Sequence, residues 1–203
     1  QNESLNPQPH PTNPRHDPRR AVFKSNMNST IWDLAWEASD ALTFENRVIY
    51  TDFNINRPTA YNIQYAEIDG QEVHVEPVVR FGGADSRLHG LAGLRYFHGT
   101  QDEFVNIFGG STFKDKTDTH SAFAELTYAL TPQVDVTAAS RLEREHRRRD
   151  GGSQAVRIDF DETYTVFLPK LDVAWKPTDT QTYGAKIARG YNAGGGGITI
   201  GTP

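Results

Sequence analysis

The sequence predicts an all-β chain: about eight antiparallel strands in up-and-down order, curved as the arc of a transmembrane β-barrel. Three observations predict it. Apolar and polar residues alternate with period two in eight segments. The connections between those segments alternate short and long, as in barrels with tight turns at one end and long loops at the other. Aromatic residues gather beside the short turns, on the apolar side of their strands.

The elements follow in order. Residues 1–27 are rich in proline, with Pro7, Pro9, Pro11, Pro14 and Pro18 in the first twenty. They read as an extended loop ahead of a barrel segment over 28–203, because proline removes a backbone donor and breaks both helix and ladder. Strand one, about 29–38, sets Trp32, Leu34 and Trp36 against Asp33 and Glu37. After a turn at Ser39-Asp40, strand two (42–52) sets Phe44, Val48 and Tyr50 against Glu45 and Arg47. A polar stretch over 54–70 reads as a long loop. Strands three (71–81) and four (87–98) flank the turn Gly82–Ser86, and Pro77 suggests a bulge or an early end in strand three. A second polar stretch, 98–119, reads as another long loop. Strands five (120–130) and six (134–146) flank Thr131-Pro132-Gln133. After a charged loop near 147–160, strands seven (162–176) and eight (181–191) flank Pro177–Thr180, and the chain runs into Gly194–Gly197.

Strands of 10–14 residues exceed the usual soluble length and suit a tilted bilayer crossing. Trp36, Phe44, Phe81, Tyr128, Trp175 and Tyr183 lie near tight turns, with Tyr50 and Tyr96 near the opposite ends. These positions are expected to form two interfacial girdles. Trp32, Leu34, Trp36, Leu126, Tyr128, Val173 and Trp175 are expected to face lipid. Glu45, Arg47, Arg95, Glu125 and Arg141 are expected to face a lumen. A half-buried soluble sheet would alternate in the same way, so periodicity alone leaves a soluble barrel open.

Composition narrows the chemistry. There is no cysteine, which excludes disulfides, thiolate metal sites and a cysteine nucleophile. A formal net charge of −5 argues against a general nucleic-acid binder. Three Trp, eight Tyr and eleven Phe argue against a polar disordered chain. The seven histidines form no HExxH pair, and His10 and His16 in a Pro-rich loop are a weak ligand signal. Gly194–Gly197 lacks the GK[ST] of a phosphate loop. Asp159-Phe160-Asp161-Glu162 lacks an EF-hand frame. No nucleophile elbow or triad is present. The expectation is no enzyme, no cofactor and no metal site. The densest charge run, Arg141 to Asp150, reads as a solvated strand end or as an anion-attracting patch.

Several stretches resemble the barrel of TonB-dependent outer-membrane receptors. Phe167-Leu168-Pro169-Lys170-Leu171-Asp172-Val173-Ala174-Trp175-Lys176-Pro177-Thr178, then Tyr183, then Ala188-Arg189-Gly190-Tyr191 running into glycines, is similar to a family hairpin. Residues 121–145, SAFAELTYALTPQVDVTAASRLERE, resemble the hairpin before it. Leu91-Ala92-Gly93-Leu94-Arg95-Tyr96-Phe97 resembles a strand entering a long loop. Ala139-Ser140-Arg141-Leu142 departs from the usual Gly-Leu-Arg-Tyr. The resemblance covers about two-thirds of the chain.

The resemblance implies an internal piece of a 22-stranded barrel, with plug and closing strand outside it. It implies a receptor of the bacterial outer membrane that takes up a scarce nutrient, most often a ferric siderophore. Its partners would be that nutrient, the surrounding lipid, and the TonB complex through the plug. The alternative is a self-standing small outer-membrane barrel with a structural or adhesive role. On the strand directions above, His74, Arg95 and Arg141 lie on the lumen face, with His74 nearest the outer rim. They are the candidate substrate-binding residues, since arginine suits bidentate contact with anionic oxygens. The competing reading pairs each arginine with a lumen carboxylate such as Glu143 or Glu125.

Overall fold

The computed structural model describes residues 23–58, 65–83, 86–106, 109–154, 157–192 and 194. They form one sheet of eight strands: β1 (Lys24–Ser39), β2 (Leu42–Pro58), β3 (Tyr65–Phe81), β4 (Leu88–Val105), β5 (Ser111–Thr131), β6 (Val134–Gly152), β7 (Arg157–Thr178) and β8 (Gln181–Ala188). The spatial order is the chain order, and every neighbouring pair is antiparallel. This is the expected up-and-down arc. Tight turns join β1 to β2, β5 to β6 and β7 to β8.

Except for β8, which ends at Ala188 rather than at 191, the strands are longer than their alternation suggests, and only at one end. At the short-turn end the expected boundaries agree closely with the observed ones. At the other end β2 runs on to Pro58, β4 to Val105 and β6 to Gly152, while β3, β5 and β7 begin at Tyr65, Ser111 and Arg157. The expected long loops over 54–70, 98–119 and 147–160 are therefore mostly paired strand. The physical reason is that both faces are polar there, so no apolar period marks the ladder. β5 shows it: Ser111–Thr119 reads STFKDKTDT. Of the expected loop over 1–27, residues 1–22 lie outside the described residues, and Lys24–Met27 already belong to β1.

Pro77 neither bulges nor ends β3. Pairing to β2 continues through it, and pairing to β4 lapses between Val75↔Tyr96 and Val78↔Gly93, then resumes in the same register. The lapse spans two residue pairs and causes no shift.

Antiparallel partners share a face, so the register assigns faces across the sheet. One row runs Trp36, Phe44, Val79, Ala92, Ala124, Ser140, Pro169. Another runs Leu88, Tyr128, Val136, Val173, Ala185. These side chains lie on the convex face, where Trp32, Leu34, Trp36, Leu126, Tyr128, Val173 and Trp175 are all well exposed. The opposite rows carry Asp33, Arg47 and Glu76, or Thr43, Arg80, Leu91, Glu125 and Lys170. Curvature crowds that concave face: Thr51, Ser111, Thr119, Ser121 and Glu145, all on it, are the buried polar residues. The two sets named from the sequence thus occupy opposite faces. A single layer has no second sheet to cover it, and no large side chain among the described residues is fully buried.

The girdle also measures the strand inclination. Trp36 stacks on Phe44 at 5.4 Å, and Trp175 meets Tyr183 at 5.7 Å. The row through Phe44 reaches β7 at Pro169, six residues short of Trp175. Six residues are about 20 Å, and the five strand spacings from β2 to β7 are about 24 Å. A level girdle therefore inclines the strands by about 40°, within the range of membrane barrels. The upper edge slopes in the same sense. One row is Tyr50 and Val73 on β2 and β3, but His98, Asp118 and His146 on β4 to β6.

Candidate functional site

The apolar band ends near Ala122 and Leu142 on β5 and β6, and these strands continue for some ten residues beyond it. The overhang is about 25 Å when the inclination is included. Its concave side is a wall that a solute would meet before the membrane-level lumen.

That wall is a ladder of ion pairs. Arg149 donates to Glu103 at 2.5 Å and to Asp115 at 2.6 Å, joining three adjacent strands, and its guanidinium lies 4.6 Å from the Phe113 ring centre. Burial works against the Arg149 charge, but its hydrogen bonds to Glu103 and Asp115 outweigh burial and raise its pKa. Arg147 pairs with Glu145. Arg141 donates to Glu143 at 2.5 Å and to Ser121 at 3.0 Å. Deeper in the lumen, Lys170 pairs with Glu125, Arg80 with Glu45 and Arg47 with Asp33, at 2.7–2.9 Å. Aromatic rings sit among these charges. Phe53, Phe97, Glu72 and Asp115 border a depression of about 90 Å³.

The sequence-predicted residues all lie on this face. His74, on β3, faces Ile49 and Phe97, its ring 4.6 Å from that of Phe97 and its Nε2 3.8 Å from Glu72. Arg95, on β4, is opposite Ser121 of β5. Arg141 is on β6, opposite Phe123. With the strands inclined by about 40°, the three stand within about 2 Å of one level, spread over β3, β4 and β6 rather than closing around one point. For Arg141 the competing reading, pairing with Glu143, is what the geometry contains, although its Nε is buried without a hydrogen-bond partner. Glu125 takes Lys170 rather than an arginine.

Sequence reasoning missed the Arg149 cluster. Glu103 and Arg149 are separated by 46 residues, and only the register of β4, β5 and β6 brings them together. It also treated Arg141 to Asp150 as one patch. Strand parity divides it: Arg141, Arg147 and Arg149 are concave, Arg144 and Arg148 convex. Asp159 and Asp161 likewise face outward and Glu162 inward, so the acidic run cannot converge on one cation.

A family model described as TonB dependent receptor-like, beta-barrel, matches residues 2–203. The chain belongs to this family. TonB-dependent receptors are proteins of the bacterial outer membrane, which accounts for the apolar convex face, the polar concave face and the inclined girdle. Solved receptors share the fold at low identity. The siderophore receptor PiuA from Acinetobacter baumannii aligns with a TM-score of 0.71 and 11% identity, covering 84% of this chain and 33% of that one. The ferric-catecholate import receptor Fiu from E. coli K12, in its closed form, aligns with a TM-score of 0.69 and 11% identity over 83% of this chain and 33% of that one. The ferric yersiniabactin uptake receptor FyuA from Yersinia pestis gives 0.66 and 13%, over 82% and 28%. The chain spans about a third of the length of these receptors.

Proposed function

We propose that the complete protein imports a scarce nutrient across the outer membrane, with a ferric siderophore as the leading class. The TonB complex would drive import through a plug outside this chain. The observation that carries this reading is the concave overhang, a charged and aromatic wall raised above the apolar band of a TonB-dependent receptor barrel. The resolved relatives named for ferric ligands support the siderophore class. Arg95 and Arg141, with His74 beside them at about the same level, are the proposed contacts for an anionic ligand. β1 enters the sheet from the overhanging end, at Lys24. An adhesive or structural barrel would share the arc but would need neither energy nor an ion-laden lumen.

The test is uptake of radiolabelled iron supplied with catecholate, hydroxamate and carboxylate siderophores, in cells with the gene deleted and then restored. Restored uptake that vanishes on loss of TonB supports the reading, and Arg95→Ala with Arg141→Ala should then weaken uptake. Growth and iron uptake indifferent to both the gene and TonB would exclude it.

A further inference from the structure

Charge on the concave wall is unevenly settled. The concave arginines of the overhang are held by their neighbours, Arg147 by Glu145, and Arg149 by Glu103 and Asp115. The carboxylate of Glu72, on β3, is not. Among the described residues the nearest cationic group to it is the His74 Nε2, at 3.8 Å, beyond hydrogen-bond reach. Glu72 is partly exposed, on the side that a solute in the lumen would meet.

Glu72 borders the depression of about 90 Å³ together with Phe53, Phe97 and Asp115. Two glycines shape this recess. Gly70 is opposite Phe53 across β2 and β3, and Gly99 is opposite Glu72 across β3 and β4. With no side chain at these positions, the Phe53 ring lies over Gly70 and the Phe97 ring over Gly99. A Cβ at Gly99 would stand 2.9 Å from the Phe97 ring and 3.7 Å from the Glu72 Cγ, and one at Gly70 would overlap the Phe53 ring. Glycine inside a strand marks such a close approach. The glycines therefore floor a recess whose walls are two phenyl rings and two carboxylates, all on the concave face.

The chemistry of the walls selects the occupant. Phenyl faces carry partial negative charge and attract cations. Glu72 and Asp115 add formal negative charge, the latter shared with Arg149. A hard metal ion needs about six or more oxygen ligands, and the rings supply none. An organic ammonium suits the mixture: its methylenes and charge lie against the rings, and its N–H groups donate to a carboxylate. We propose that this recess binds the primary ammonium arm of the imported ferric siderophore. Arg95 lies two residues from Phe97 on the same strand and face, about 7 Å along it. The iron-bound oxygens then face Arg95 while the arm enters the recess. The proposal rests on the uptake reading and narrows it to amine-bearing siderophores.

The experiment measures binding of iron-loaded siderophores to the complete receptor, purified in detergent, by titration calorimetry. The probes are matched pairs: a linear trihydroxamate and a catecholate, each ending in a primary amine, and the same compounds with that amine acetylated. Acetylation removes the positive charge and leaves the iron centre as it was. At least one amine-bearing probe should bind about tenfold or more tightly than its acetylated partner. Glu72→Gln should bring that preference below about threefold, and Phe53→Leu with Phe97→Leu should lower it too. Glu162→Gln, the same change in the same row of the wall but on β7, should keep the full preference. Heat-modifiable gel migration confirms that each variant is folded. Equal binding of both members of every pair, or a preference that survives Glu72→Gln, would overturn the proposal. So would the absence of binding by every amine-bearing probe. The uptake assay then separates the two readings, because restored, TonB-dependent import of an amine-free siderophore would leave the uptake reading standing.

Discussion

The lower and upper halves of the sheet follow one register but obey different solvents. In the lower half, from the tight turns to Leu142, the convex face meets hydrocarbon and the concave face meets water, so a period of two dominates the strands. In the upper half both faces meet water or headgroups, and the period disappears from the sequence while the ladder persists. β5 holds both regimes in one strand: Ser121–Thr131 alternates, and Ser111–Thr119 does not. The difference teaches that hydrophobic periodicity reports the solvent of a strand, not its existence. A barrel strand is visible only where one side of it is dry.

The comparison breaks most sharply at a charge on the convex face. Leu171 shares a row with Leu126, midway between the Trp175 girdle and Phe167. Leu171→Arg in the complete receptor should cost about 2–4 kcal/mol in a lipid-bilayer unfolding titration. Val173, beside the girdle rather than at mid-membrane, should cost less than Leu171 on the same change, toward about 1 kcal/mol or below. Thr163→Arg, in the upper half of the same strand and face, should fall within about 0.5 kcal/mol. Equal costs at Leu171 and Thr163 would erase the distinction between the halves.

A smaller effect separates two glycines on the concave face. A Cβ at Gly93, in the lower half, would lie 2.5 Å from the Phe123 ring and 2.9 Å from the Pro77 carbonyl oxygen. The backbone cannot yield, so Gly93→Ala should destabilise by about 1–3 kcal/mol. At Gly70, in the upper half, the conflict is with the Phe53 ring alone, its tip 2.2 Å away. That ring can swing into the open wall, so Gly70→Ala should cost less than Gly93→Ala in the same titration.

How far the sequence discloses this molecule follows the same division. Trp32, Leu34, Trp36, Glu45 and Arg47 declare their faces by parity, because an apolar neighbour two residues away sets the phase. Asp102, Lys114 and Asp150 face one another across β4 to β6 with nothing apolar to mark them. The candidate site was legible in part. His74, Arg95 and Arg141 could be placed on the lumen face from alternation, and the Arg141–Glu143 pair follows from two residues of one parity. The Arg149–Glu103 contact depends on cross-strand register. The division of the β6 arginines between the concave and convex faces depends on knowing that the strand reaches Gly152.

The smallest expected effect lies in the upper half. Asp118 accepts a hydrogen bond from His98, above the membrane-spanning rows. Burial acts to raise the Asp118 pKa, but the His98 hydrogen bond and the Lys116 charge outweigh burial and hold it below the usual carboxylate value. A lowered folded pKa means the contribution is complete above the unfolded value, about 3.9. It fades as pH falls through the folded one. The unmodified receptor should therefore be more stable than Asp118→Asn between pH 5 and 7, with the gap closing below about pH 4. A gap that widens on acidification would contradict the assignment.

The most direct test of the account is a scan of β5 in the complete receptor by site-directed spin labelling, one position at a time from Ser111 to Thr131. Power saturation with oxygen and with a water-soluble nickel chelate reports lipid and water contact at each position. The account predicts oxygen maxima at positions 122, 124, 126, 128 and 130, nickel maxima at the intervening ones, and no oxygen alternation over 111–119. Alternation of the opposite phase, or lipid contact continuing to Ser111, would contradict it.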